Sequence, residues 1–160
     1  MPASLHHAQE YIRSQLNPSA PGLEQLRIHF VSSIEDAVRE ADLAIDCVPD
    51  ELESKLEILW LLDRMAPPRT VLTTPTTQLS ISDLAACTYR PEKCVAIAVE
   101  PRELTSGVLS EILVRTTPET STQTVNVVRE FWQRLGVVLS FATEQAPSDA
   151  VPGEGDQPVT

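Results

Sequence analysis

Between Ala41 and Phe141 short apolar runs alternate with amphipathic stretches in a regular order, and this alternation constrains the fold more than any single residue. Leu43 to Val48 is apolar except for Asp46, as expected of a strand covered on both faces. Pro49 and Asp50 close it. Glu51 to Met65 carries Leu52, Leu56, Leu59, Trp60 and Leu62 at helical spacing, which predicts a helix with those residues inward. Ala66, Pro67 and Pro68 end that helix, Thr70 to Thr73 forms the next strand, and Ser80 caps a short helix over Ile81 to Ala86. Cys94 to Val99 and Ile112 to Arg115 are two further strands, joined by a loop holding Pro101 and Gly107. Ser121 to Leu135 predicts a helix with Val125, Val128, Phe131, Trp132 and Leu135 inward and Gly136 as its stop, before a last strand over Val137 to Phe141. Strands that alternate with helices in this way imply an α/β fold, a mostly parallel sheet flanked by helices.

The two ends read differently. Leu5, Ala8, Tyr11, Ile12 and Leu16 give a one-faced helix over Ser4 to Leu16, stopped by Asn17, Pro18, Pro21 and Gly22. Leu26, Ile28 and Phe30 alternate with Arg27 and His29, so Leu26 to Val31 is expected to be a half-buried or edge strand. Ser32 or Ser33 then caps a short helix with Glu35 and Asp36 in its first turn, where the helix dipole favours negative charge. After Thr143 the chain is rich in proline, glycine and acid and poor in apolar residues. The expected organisation is therefore one domain over residues 1–143 and a disordered tail over 144–160.

A formal net charge of −11 opposes binding to nucleic acid or anionic membranes, so neither is expected as a partner. The longest apolar run, Leu56 to Leu62, is interrupted by Glu57 and is too short to span a bilayer, and the first residues lack the apolar core of a secretory signal. The three cysteines, Cys47, Cys87 and Cys94, lie in or beside apolar runs without CxxC spacing. They read as buried, reduced thiols of a cytoplasmic protein, with a Cys87–Cys94 disulfide disfavoured by that compartment. No metal site is expected: adjacent His6 and His7 do not share a helix face, and His29 lies on the polar side of its segment.

Four segments in order resemble the NAD-binding domain of the 3-hydroxyacyl-CoA dehydrogenases. ADLAIDCVPDELESK (Ala41 to Lys55) is similar to that family's ADLVIEAVPE strand and helix, and TTPTTQLSISDLA (Thr73 to Ala85) to its SNTSSLSI segment. RPEKCVAIAVEP (Arg90 to Pro101) resembles RPE…GLHFFNP, and LSEILVRTTPETS (Leu109 to Ser121) resembles LVEVV with its Thr-rich helix start. The resemblance runs from about Leu5 to about Thr143. It implies a Rossmann-like sheet and NAD-dependent oxidation of a 3-hydroxyacyl-CoA to the 3-keto compound, with acyl-CoA as substrate. By position it implies that Asp50 and Lys55 contact the nicotinamide half of NAD and that Thr77 contacts substrate, while Pro75 replaces an asparagine and loses its amide. On the residues alone, Asp50 is equally a helix N-terminal acid and Lys55 a solvated helix residue.

The same correspondence exposes losses. Glu111 matches the glutamate that orients the family's catalytic histidine, but the histidine's own position falls on Ala98, or on Ile97 when the alignment is anchored at Pro101. Without an imidazole the alcohol proton has no acceptor, a contribution often worth about 10²- to 10⁴-fold. No glycine-rich turn precedes Ala41, where the family cradles the pyrophosphate, and the GxG at Gly153 and Gly155 lies in the tail. The expectation is a partial, truncated domain without the family's N-terminal βαβ part or C-terminal domain, with little or no activity alone. Three alternatives stand beside it: a working dehydrogenase whose glycine-rich half is a separate polypeptide, an interaction module that binds a protein or itself through an exposed sheet edge, and a reading frame that truly starts upstream.

Overall fold

The computed structural model describes residues 2–15, 28–105 and 109–145. Helix α1 spans Pro2–Gln15 and α2 spans Ile34–Val38. They are followed by β1 (Leu43–Ile45), α3 (Leu52–Met65), β2 (Val71–Pro75), α4 (Ile81–Ala85), β3 (Cys94–Ile97), β4 (Glu111–Thr116), α5 (Thr122–Arg134) and β5 (Val138–Thr143). The strands form one sheet in the order β1-β2-β3-β4-β5. β1 with β2, β2 with β3 and β4 with β5 pair in parallel, whereas β3 and β4 are antiparallel. The parallel pairs are the ones joined through a helix, since a parallel crossover must carry the chain back along the sheet. From β3 the chain returns without an α-helix, and β4 runs the other way.

The period-two alternation of the strands divides the core in two. Val71, Val95, Ile97, Ile112 and Val114 pack against Val128 and Trp132 of α5. Ala44, Leu72, Cys94 and Ala96 pack on the opposite face with Leu59 and Leu62 of α3 and with Ile81 and Leu84 of α4. Serine hydroxyls hold the helix starts: Ser33, Ser80 and Ser121 accept from the amides of Asp36, Asp83 and Thr124. Gly136, with φ +76°, turns the chain after α5 in a conformation that side chains resist. The C-terminus of α3 has a different device. The Arg90 guanidinium pairs with the Asp63 carboxylate at 2.7 Å and donates to the carbonyls of Asp63, in the last turn, and of Ala66 and Pro67, just past it, where helix carbonyls lack intrahelical partners.

Several expectations are corrected. Ile28 to Val31 is not a strand, and Ile28 and Val31 are exposed; Leu26 and Arg27 lie outside the described residues. Apolar alternation supplies a face but not a ladder, and no described strand lies beyond β1 to pair with this segment. β1 ends at Ile45 rather than Val48. Leu52, Trp60 and Leu135, expected inward, are largely exposed, and the Trp60 ring instead carries the Arg64 guanidinium 4.6 Å from its centre. Cys47 is exposed and Cys87 half-buried, so only Cys94 is a buried thiol; all three are free. Glu144, assigned to the tail, is half-buried and hydrogen-bonded, while residues 146–160 lie outside the described residues.

Candidate functional site

Parallel strands aim their carboxyl ends at one edge of the sheet, and α/β sheets bind ligands there. The loops after β1, β2 and β3 meet at that edge around a cleft of about 480 Å³, lined by Cys47, Pro49, Asp50, Glu51, Gln78, Glu100, Pro101 and Arg102. Asp50 Oδ2 accepts from the Thr77 amide at 3.0 Å, and Thr77 Oγ1 donates to Glu100 Oε1 at 2.7 Å. One carboxylate, one threonine and a second carboxylate therefore tie the three loops together. Asp50 Oδ1 is shielded from solvent and has no hydrogen-bond partner among the described residues, which leaves an acceptor unused beside the cleft.

The Thr76–Ser80 loop that carries Thr77 is fixed from behind. Arg115 of β4 donates to the carbonyls of Thr76, at 2.7 Å, and Leu79, at 3.0 Å, and pairs with Glu144 at 3.0 Å. Glu144 in turn accepts from the Ser80 hydroxyl at 2.9 Å and the Ser82 amide at 3.2 Å. Burial works to raise its pKa, but the amides of Ile81 and Ser82, the Ser80 hydroxyl and the Arg115 charge together hold it below the ordinary glutamate value.

The expected site residues fall in different places. Asp50 and Thr77 meet. Lys55 does not join them: its ammonium is fully buried and donates to Asp46 Oδ1 at 2.6 Å, beneath the sheet edge rather than on a helix face open to solvent. Ile97 is wholly buried in the α5-side core, whereas Ala98 is half-buried and donates its amide to Leu113 O at 2.9 Å. Glu111 opens β4 as an exposed residue. Because β4 is antiparallel to β3, Glu111 stands at the same end of the sheet as Ala98 and the cleft. His6, His7 and His29 are exposed, and His6 faces Glu10 across 3.3 Å. The loop residues Glu100, Gln78 and Arg102 were not among the expected ones. Glu100 stands immediately before Pro101, at the asparagine of HFFNP when the two prolines are aligned, and that position was the signal available.

A mostly parallel α/β sheet whose strand ends converge on a polar cleft defines a Rossmann-like nucleotide-binding class of domain. Residues 4–140 match the model of the family described as 3-hydroxyacyl-CoA dehydrogenase, NAD binding domain, and the chain belongs to that family. Its sequence is 36% identical over 76 residues to an L-carnitine dehydrogenase of Burkholderia mallei, a match covering 48% of this chain and 24% of that protein. A probable 3-hydroxybutyryl-CoA dehydrogenase of Bacillus subtilis is 34% identical over 71 residues, covering 44% and 24%. The fold is similar to that of (S)-3-hydroxybutyryl-CoA dehydrogenase from Ralstonia eutropha, with TM-score 0.70 and 19% identity over 89% of this chain and 50% of that one. The chain thus spans about a quarter of these curated relatives and half of the solved enzyme.

NAD is the family's cofactor, and the described residues fit it only in part. The unused Asp50 Oδ1 suits a ribose hydroxyl. Lys55 is committed to Asp46 and closed to solvent, so its ammonium is not offered to a phosphate at the cleft.

Proposed function

We propose that this chain is a degenerate form of the family's NAD-binding domain, weakly active or inactive alone in the NAD-dependent oxidation of a 3-hydroxyacyl-CoA, and that it works in the cytoplasm. The observation that carries this reading is the pair Ile97 and Ala98 at the end of β3. Neither side chain accepts a proton, and the described histidines lie on α1 and on the segment before α2. The catalytic part left to Glu111 is residual, and Asp50 is the better of the two cofactor contacts, because Lys55 is sequestered.

A second reading concerns the substrate. The cleft is lined by three carboxylates, those of Asp50, Glu51 and Glu100, against one guanidinium, that of Arg102, and the chain carries a charge of −11; both balances disfavour the phosphates of coenzyme A. L-carnitine, the substrate named for one relative, carries a quaternary ammonium that such a cleft suits.

Calorimetric titration of the purified chain with NAD, followed by turnover assays with 3-hydroxybutyryl-CoA and L-carnitine, tests both readings. The degenerate reading expects no saturable micromolar NAD binding and no reduction of NAD. Turnover abolished by Glu111→Gln would overturn it, and the preferred substrate would then decide the second reading.

A further inference from the structure

Thr77 has two hydrogen-bond donors, and carboxylates consume both. Its amide donates to Asp50 Oδ2 at 3.0 Å and its hydroxyl to Glu100 Oε1 at 2.7 Å, the length of a charge-assisted bond. An ionised carboxylate only accepts, so the direction of the second bond is fixed. Thr77 Oγ1 has no proton left and offers a ligand its lone pairs alone. Thr77 is exposed, and its partners Asp50 and Glu100 and its neighbour Gln78 line the cleft.

The backbone around Thr77 is equally poor in free donors. Pro49 and Pro101 line the cleft without an N–H. The Glu51 amide donates to Pro49 O at 2.8 Å, the Glu100 amide to Glu103 Oε2 at 2.9 Å and the Gln78 amide to Thr76 Oγ1 at 3.4 Å. Gln78 and Arg102 carry the side-chain N–H groups of the lining. All of these bonds lie within residues 49–103, so a neighbouring segment of chain can add to the cleft without reversing one of them.

A ketone oxygen set against Thr77 Oγ1 would meet another acceptor, whereas an alcohol O–H there donates into it. We infer that Glu100 is a specificity residue acting through Thr77: by taking the hydroxyl proton, it makes this point of the cleft select a ligand hydroxyl and reject the matching ketone. The ligand class comes from the reading of the cleft as one for a cationic substrate, on which this assignment rests. Glu100 narrows that class to a small organic cation carrying a hydroxyl.

Two probes differ only at that group: (2-hydroxypropyl)trimethylammonium and (2-oxopropyl)trimethylammonium. Each is titrated into the full ¹⁵N-labelled chain and followed through the amide shifts of Thr77, Gln78 and Glu100. The hydroxyl probe is expected to bind about five- to tenfold more tightly than the ketone, the ratio that one net hydrogen bond supports. The ratio is the readout, because a purely structural defect weakens both probes together. In Glu100→Gln the new amide can donate to Thr77 Oγ1 and release its proton to the ligand, so the ratio should fall to about one, while the lost charge weakens both probes. Thr77→Ser should keep the ratio and Thr77→Val should erase it. Equal binding of the two probes by the unaltered chain, tighter binding of the ketone, loss of the ratio in Thr77→Ser, or an unchanged ratio in Glu100→Gln or Thr77→Val overturns the role of Glu100 and leaves the cation reading in place. Binding of neither probe, or binding that leaves the Thr77 and Gln78 amides unmoved, overturns both.

Discussion

Lys55 Nζ lies 2.6 Å from Asp46 Oδ1, and solvent reaches neither side chain. Each charge is tolerated in the interior because the other offsets its desolvation, so removing one strands its partner. Lys55→Met is expected to lower the free energy of unfolding by about 3–5 kcal/mol, and the double substitution Asp46→Leu with Lys55→Met to recover most of that loss. Urea unfolding at pH 7 measures both, with an unchanged m-value marking a pure stability effect. Equal stability of Lys55→Met and the unaltered chain would place the ammonium in solvent, where a cofactor phosphate could use it.

The Arg115–Glu144 pair should show itself at acid pH. Glu144 has a folded pKa depressed below 4.5, its ordinary value, so its contribution is present above that value and is lost as pH falls through the folded pKa. Glu144→Gln is expected to cost about 1.5–3 kcal/mol at pH 7, the range for hydrogen bonds to a charged group, and to flatten stability below pH 4.5. Thermal unfolding of both forms from pH 7 to pH 3 checks this. Parallel acid limbs would mean that other carboxylates govern them.

The junction of the three loops is tested at Asp50. Asp50→Ala removes the acceptor for the Thr77 amide and should cost about 1 kcal/mol, a typical net value for one hydrogen bond. Its larger effect is expected to be local, with faster hydrogen exchange at Thr77 and Gln78 while amides of β2 and β3 stay protected. Faster exchange across the whole sheet would make Asp50 a global rather than a loop contact.

The helices and strands were legible because burial imposes a pattern: α3 and α5 carry the helical period, β3, buried throughout, reads as a continuous apolar run, and β4 alternates. Leu52 and Trp60 share the apolar character of α3, yet they are exposed: the pattern marks which residues are apolar, not how far the covering layer extends. The strand expected at Leu26 to Val31 needed information outside the segment, since a strand exists only where a neighbour pairs with it. Asp50 and Thr77 were visible through their positions in the family motifs. Their bridge through Glu100 was not, because it joins residues separated by two strand–loop units and is made only when the loops converge. Nor did spacing reveal that Lys55 turns inward; nine residues separate it from Asp46, and only the crossing of α3 over β1 brings them together.

The cysteines should separate by accessibility. Partial desolvation by its surroundings, then the neighbouring Asp46 charge, raises the pKa of Cys47, but its surface is open to solvent, which makes it the first thiol alkylated, at a rate that climbs toward alkaline pH. Cys94 is pushed up to about 11 by burial, with its sulfur 3.4 Å from the Thr88 hydroxyl. A thiol kept neutral in the fold contributes stability fully below its unfolded value of 9.0 and loses it as pH rises toward 11. Cys94→Ala is expected to be less stable at pH 7 but to fall less steeply between pH 9 and 11, by up to one proton in slope. Mass spectrometry after timed alkylation and urea unfolding across that range are the two measurements.

Ile97 and Ala98 compete for the place of the absent imidazole, and the fold distinguishes them. Ile97 is enclosed by Val95, Ile112 and Val114, so Ile97→His buries a polar ring among apolar side chains; a loss of about 2–4 kcal/mol is expected from the vacated packing and unpaired nitrogen. Ala98 is half-buried at the cleft end of β3, and Ala98→His should cost less than about 1 kcal/mol, as substitutions away from a packed core do. If Glu111 retains the orienting position, the imidazole introduced by Ala98→His will titrate above about 6.5, the unperturbed value for histidine, because a nearby carboxylate favours the protonated ring. Adding Glu111→Gln should return it toward that value. An NMR titration of the single and double variants reads the shift directly, and an imidazole indifferent to Glu111 would show that the second half of the catalytic pair has been lost along with the first.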